Sequence, residues 1–374
     1  MTRAETFNKA ISALREAAGE STFIVGCGSP IVSAVGYFDG MRVSADTGPT
    51  YKPPLPMPWW DQANLPCLRS MIRNSINRTC LSSRFWHNDP DCLLLRKSTS
   101  LSTDEVVSAA SVVAMTSGML LLSDDLSKVS ADRLKIVTRI TPPSNAPALP
   151  LDLHVNTMPA IMRMICSDKE SGGSERRDGC EVASGLGRWS VVSLSNWGDQ
   201  NKIVKCPLLA LDAPRGGADE LAFHVINFWS GKYQYLCETE HSNLKVGLRK
   251  RQTEICICKV ATHDKAIYLG STFHFTCGLE VQEIGGARGK VGEGGEFNVV
   301  LKTDFNKGKG RVFFYLPTSD QGKVICHIND KVCNPSSWEV LEVVGDTAGK
   351  RGIVVRVVET MRVGGEKVKI SFIW

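Results

Sequence analysis

The stretch GMRVSADTGP, residues 40–49, decides how the first half of this chain folds. Side chains alternate across a β-strand, so Arg42, Ser44 and Asp46 share one face while Met41, Val43 and Ala45 share the other. Thr47, Gly48 and Pro49 then stop the strand. Three neighbours have the same character. TFIVGCGSP (22–30) reads as a buried strand closed by a Gly/Pro turn, TCLSSRFWHNDPDCLLL (79–95) as a strand broken at 88–91, and MLLLSDD (119–125) as a fourth strand. Helical patterns lie among them. Ala4, Phe7, Ile11, Leu14 and Ala18 recur three or four apart, and 65–78 and 130–140 are amphipathic. Residues 102–118 open with a capping box of Ser102 and Glu105 and close at Gly118. The tract 51–66, rich in Pro and Trp, reads as a loop. Helix and strand alternating through four strands predict a parallel sheet with right-handed crossovers.

Residues 166–185 are polar and glycine-rich and read as a linker. Beyond them, runs such as WSVVSLSNW (189–197), FHVINFW (223–229) and RVFFYLP (311–317) alternate at the period of a strand. Residues 186–374 therefore read as an antiparallel β domain, a sandwich or two smaller ones split near 285.

At 374 residues, 43% hydrophobic and 22% charged, the chain is long enough for two or three globular domains. The net charge of +5 is spread along the sequence, which gives nucleic-acid binding little support. No run of eighteen apolar residues suggests a membrane helix, and the first twenty residues are charged and helix-patterned rather than a signal sequence. The compartment is not legible. Thirteen cysteines show neither zinc-ligand spacing nor a regular disulfide framework. They read as mostly buried, reduced thiols with room for a few bridges, and neither metal nor cofactor is expected. GGARGKVGEGG (285–295) lacks the residues a phosphate loop needs and reads as a turn, and LRKRQ (248–252) reads as a solvated loop.

The polar strand ends carry the chemistry. Asp46 ends one strand; Trp86, Asn88, Asp89 and Asp91 crowd the end of the next; Ser123, Asp124 and Asp125 end the last. Carboxylates at neighbouring strand ends, with Trp59, Trp60 and Trp86 near in sequence, suit a sugar: acids for proton transfer and hydroxyls, aromatics for the ring face. Asp104 and Asp125 read instead as helix caps. The segments GCGSP, YFDGMRVSADTGP, RFWHNDPDCLLLR and GMLLLSDDLSKVSADRL resemble the successive last strands of the catalytic barrel in glycoside hydrolases of the α-galactosidase clan, families 36 and 27. The resemblance covers about residues 10–160.

That resemblance implies an α/β plus all-β protein: the C-terminal half of a (β/α)8 TIM barrel over 1–165 (strands five to eight), then an antiparallel β-sandwich domain. It implies a retaining exo-hydrolase that removes terminal α-linked galactose, with Asp46 as general acid/base and Arg42 contacting substrate. By the same likeness Asp91 and Asp89 shape the sugar pocket, Trp86 adds to it, and Cys27, Gly28 and Ser29 lie where the loop reads the second carbon of the sugar. The partner would be an α-galactoside oligosaccharide or glycoconjugate, not a nucleic acid or a membrane.

A retaining enzyme needs a second carboxyl about 5–5.5 Å from the first. In the family it stands in a Lys-x-Asp context two strands before the acid/base. The acids before Asp46 here are Glu5, Glu16, Glu20 and Asp39, and none fits. The expectation is that the nucleophile and the first half of the barrel lie outside this chain, that TFIVGC and GMLLL lack the cover a closed barrel gives them, and that the open edge invites self-association. A non-catalytic protein binding carbohydrate or a partner is the alternative reading.

Overall fold

In the computed structural model described here, the residues described are 1–53, 65–169, 179–211, 213, 221–286, 294–302, 308–345, 351–361 and 368–374. Helix α1 (Arg3–Ala18) opens on the capping box of Thr2 and Glu5. It packs Phe7 and Ile11 on a small core of Ala34, Phe38, Met41, Val43 and Trp86. That core underlies three strands, β1 (Val25–Gly26), β2 (Gly40–Arg42) and β3 (His87–Asp89), paired in parallel in that order. Helix α2 (Leu68–Asn77) makes the crossover from β2 to β3, α3 (Thr103–Thr116) follows β3, and α4 (Ala131–Thr138) comes next. The capping box of α3 is Ser102 with Glu105; its last turn ends one residue earlier than expected, on Ser117 in the left-handed conformation.

The described residues show a small parallel sheet, not a barrel. The expected fourth strand makes one bridge, Leu121 to Cys92, with Met119 N donating to Asn88 O just before it. Local chemistry explains the interruption. Pro90 has no N–H to give a ladder, and Asp91 sits at φ +76°, so the chain turns where β3 would have continued. Gly118 lets the returning segment lie against β3, since a Cβ there would fall 2.3 Å from Asn88 O. The expectation that TFIVGC is buried does not hold at its centre: Phe23 and Val25 are exposed, and only Gly26 is enclosed, beneath the Phe38 ring.

The rest is antiparallel apart from the short strand Gly179–Glu181, which pairs in parallel with Ile161–Ser167. A seven-stranded sheet runs in the order Lys232–Cys237, Ala222–Asn227, Thr253–Val260, Arg188–Ser195, Ile161–Ser167 and Leu149–Pro150, with Gly179–Glu181 alongside Ile161–Ser167. Its middle strands are buried at nearly every residue because both faces are covered. One face meets the pair Lys202–Pro207 and Asn243–Leu248, and the other joins the main core with α2, α3 and the remaining sheets. A four-stranded sheet (Ile267–Ser271, Gly308–Leu316, Arg351–Met361, Trp338–Gly345) and a five-stranded one built around Val368–Ile373 complete the chain. Sheet membership changes between Val260 and Ile267, and Gly285 ends a strand of the last sheet. No helix among the described residues is long and apolar enough to cross a membrane.

The basic run 248–252 is solvated at Arg249 and Lys250, as expected, and two of its arginines also form a clamp. Arg249 pairs with both oxygens of Asp104 at 2.8 Å. Arg251 pairs with Glu105 and Asp199 at 2.6 Å and lies over the Tyr51 ring. Asp104 is thus an ion-pair partner in the first turn of α3, not its cap, whereas Asp125 does cap the short turn Leu126–Lys128. Acids at a helix N-terminus already favour the macrodipole, and the arginines tie that end to the β region.

Candidate functional site

Parallel register sets Arg42 of β2 opposite Asp89 of β3. The guanidinium then meets three carboxylates: Nε to Asp89 at 2.9 Å, Nη1 to Asp46 at 3.1 Å and Nη2 to Asp91 at 3.2 Å. The 88–91 turn is braced from within, because Asp91 N donates to Asp89 Oδ1 at 2.8 Å and Thr47 N donates to Asp91 Oδ2 at 2.7 Å. Ser44 Oγ reaches Pro90 O at 3.1 Å, so Arg42, Ser44 and Asp46 all address the same turn. Burial works against the Arg42 charge, but the hydrogen bond and charge of Asp89, with Asp91 behind it, outweigh that and raise its pKa above the ordinary value.

Access separates the three acids. The Asp89 side chain is 4% exposed and Asp91 14%, whereas Asp46 is 75% exposed. Asp89 and Asp91 spend both oxygens on the frame; Asp46 keeps one free toward solvent, which is what a group exchanging protons with a ligand needs. Cys27 and Gly28, at the end of β1, are exposed beside this cluster, with Gly28 at φ +67°, and the Ser29 hydroxyl is buried without a hydrogen-bond partner among the described residues.

Other expected residues lie elsewhere. Trp86 is 4% exposed in the small core, its indole N–H donating to Asn88 Oδ1 at 3.0 Å, so it supports β3 from below and offers no face to a sugar. Trp59 and Trp60 fall outside the described residues. Asp124 does not join the cluster. It takes the backbone N–H groups of Leu95 and Arg96 and the Arg96 guanidinium, which hold its pKa below the usual carboxylate value against the opposing effect of burial. Asp39 accepts from Arg15 at 2.6 Å and from Ile24 N at 2.8 Å, and the Arg15 hydrogen bond above all lowers its pKa. Sequence reasoning gave no role to Cys92, whose thiol, pushed up by burial, borders Asp91 and Ser123. Its place directly after Asp91 was the available signal. No group of three acidic, His or Cys side chains among the described residues is arranged to hold a metal ion.

The parallel strands carry polar groups at their C-terminal ends and are backed by largely antiparallel sheets, and comparison with solved structures shows what that fold is similar to. The chain is similar in fold to α-galactosidases of glycoside hydrolase families 27 and 36 over about 70% of its length, at low sequence identity. α-Galactosidase I from Mortierella vinacea matches with a TM-score of 0.50 and 13% identity, covering 68% of this chain and 62% of that one. The Saccharomyces cerevisiae α-galactosidase, solved with raffinose, matches with a TM-score of 0.48 and 14% identity over 69% of this chain and 68% of that one. The Thermus thermophilus α-galactosidase, solved with stachyose, is 28% identical over 37% of this chain and 30% of that one, with a TM-score of 0.34. This chain therefore spans less than two thirds of the length of the Mortierella enzyme. No family model matches it.

Proposed function

We propose that the Arg42 cluster is the acid/base side of a retaining α-galactosidase-type site, with Asp46 as the proton-transferring group. The observation that carries this reading is the single guanidinium bridging Asp46, Asp89 and Asp91. It holds one open carboxylate on a frame of two closed ones. Arg42 borders the sugar, Asp89 and Asp91 stiffen the turn, and the exposed Cys27 and Gly28 border the pocket. The ligand is a terminal α-linked galactose.

Retaining hydrolysis needs a second ionised carboxylate facing the same sugar. Among the described residues none is open beside Asp46, so turnover requires a nucleophile from elsewhere. The chain by itself should bind methyl α-galactoside, seen as saturation transfer to the sugar protons, without hydrolysing p-nitrophenyl α-galactoside. Absence of binding refutes the site. Steady turnover by a monomeric preparation, abolished by Asp46→Ala, refutes the missing nucleophile.

Where hydrolysis is present in a protein that contains these residues, Asp46→Asn should slow poor leaving groups by several orders of magnitude and activated aryl galactosides far less, since the latter need little protonation. Equal losses on both would remove Asp46 from the acid role. A non-catalytic carbohydrate-binding protein is the second reading, favoured by the lone open carboxylate. A genomic reading frame upstream of Met1 encoding a strand with Lys-x-Asp would decide against it. Exposed Phe23, Val25, Val32 and Val35 beside the open edge of β1 support self-association, which light scattering reads directly.

A further inference from the structure

A cleft of about 690 Å³ lies between α4, the N-terminal turn of α3 and the strands Ala222–Asn227, Lys232–Cys237 and Asn243–Leu248, and shares no residue with the Arg42 cluster. Its volume is in the range of small-molecule sites, ~300–1,000 Å³. Its charges do not balance. The lining holds five cations (Lys135, Arg139, Lys232, Lys245, Arg249) and three carboxylates (Asp104, Asp132, Glu254), an excess of two positive charges. Arg249 is held by Asp104, Lys135 approaches Asp132 at 3.5 Å, and buried Glu254 offsets Arg139. Lys232 and Lys245, both exposed, have no carboxylate partner among the described residues, and they stand on strands of different sheets.

Between the charges the wall has the chemistry of a polyol site. Trp229 and Tyr233 line it, with their polar atoms turned to protein: the indole N–H donates to Ser111 Oγ at 2.9 Å and the Tyr233 hydroxyl pairs with His224 at 2.8 Å. What they leave for a ligand is apolar ring. Three amides join them. Gln234 donates to Asn227 Oδ1 at 3.3 Å, and Gln252 Oε1 accepts from Arg249 N at 2.9 Å. The Asn227 amide nitrogen, on a residue only 9% exposed, the Gln252 amide nitrogen and the Gln234 oxygen have no partner among the described residues. None of these three atoms is closed off from solvent, so a ligand's hydroxyls can reach them in the cleft.

We propose that this cleft binds an anionic saccharide, a short run of sugar rings carrying carboxylates, with hydroxyls on the three amides, a ring against Trp229 or Tyr233, and carboxylates on Lys232 and Lys245. Two cations without carboxylate partners select an anionic ligand, and neutral amides beside aromatic rings select hydroxylated rings over a bare anion.

Calorimetric titration of the full chain with trigalacturonic acid, maltotriose and inorganic phosphate tests this. The acidic trisaccharide should bind at least about tenfold more tightly than either of the others, and less tightly as salt is raised, because the paired charges are exposed. The double variant Lys232→Glu with Lys245→Glu, both on the surface and checked for an unchanged circular dichroism spectrum, should lose at least about tenfold in affinity, a change of about 1.4 kcal/mol. Asp46→Asn should leave this titration unchanged, which separates it from the Arg42 site. Equal binding of maltotriose removes the charge selection. Equal binding of phosphate reduces the cleft to an ion site. No binding of trigalacturonic acid, or binding that the double variant retains, overturns the proposal.

Discussion

Replacing Arg42 with methionine keeps most of the aliphatic stem and removes the guanidinium on which three carboxylates converge. The bond to Asp46 contributes little, since that acid is exposed and such pairs are worth about 0–1 kcal/mol. Asp89 is the costly partner. At 4% exposure it would keep the hydrogen bond from Asp91 N but lose the countercharge on its Oδ2, and breaking one side of a buried pair costs about 3–5 kcal/mol. Asp91 is partly open and keeps the bond from Thr47 N, which softens its share. A loss of about 3–4 kcal/mol is expected, a large part of the ~5–15 kcal/mol by which native proteins are stable. The stranded charge, not the missing contact, dominates that figure. Arg42→Met combined with Asp89→Asn should therefore be about 2 kcal/mol more stable than the sum of the two single losses implies. Urea unfolding followed by tryptophan fluorescence measures all four proteins, with an unchanged m-value as the condition for comparing midpoints. A loss below about 1 kcal/mol for Arg42→Met, or strict additivity in the double variant, would show that the three acids do not depend on this guanidinium.

Asp124→Asn replaces a carboxylate that accepts from Leu95 N, Arg96 N and the Arg96 side chain, and should cost about 2 kcal/mol. Because its folded pKa is depressed, that stabilisation is present above about pH 4 and is lost as pH falls through the folded value, so wild type and variant should converge in acid; parallel curves would refute it. His274 is fully buried, donating from Nε2 to Pro142 O and accepting at Nδ1 from Thr276, and burial pushes its pKa down to about 4. The unfolded chain binds that proton near pH 6.5, so the contribution of His274 to stability should fall by about 3 kcal/mol between pH 6.5 and about 4, and His274→Gln should reduce the slope in that window, with buried His224 supplying the remainder; an identical slope would be the contrary result. Gly118→Ala sets a methyl 2.3 Å from Asn88 O and should cost more than about 1 kcal/mol, while a change under about 0.5 kcal/mol would show that the segment after α3 is not held against β3.

Features determined locally were legible in the sequence. Ser102 and Glu105 identify the start of α3 because a capping box is written in four consecutive residues. Pro90 and the aspartates around it mark the break in β3, because a missing N–H and a left-handed aspartate act on the chain at that point. The alternation of Arg42, Ser44 and Asp46 places all three toward the same turn. The tertiary structure alone decided which charges pair and which faces close. Asp89, Asp91 and Asp124 have the same side chain at the ends of neighbouring strands, yet parallel register gives two of them to Arg42 and the return after α3 gives the third to Leu95 and Arg96. Trp86 and Phe23 could equally have been platform or core by composition; packing under the sheet buried the first and the open edge of β1 exposed the second. The ion pairs of Arg249 and Arg251 were not legible because their partners, Asp104 and Glu105, lie some 145 residues away along the chain. Pairings of that range depend on how the sheets dock, and a linear pattern carries no term for it.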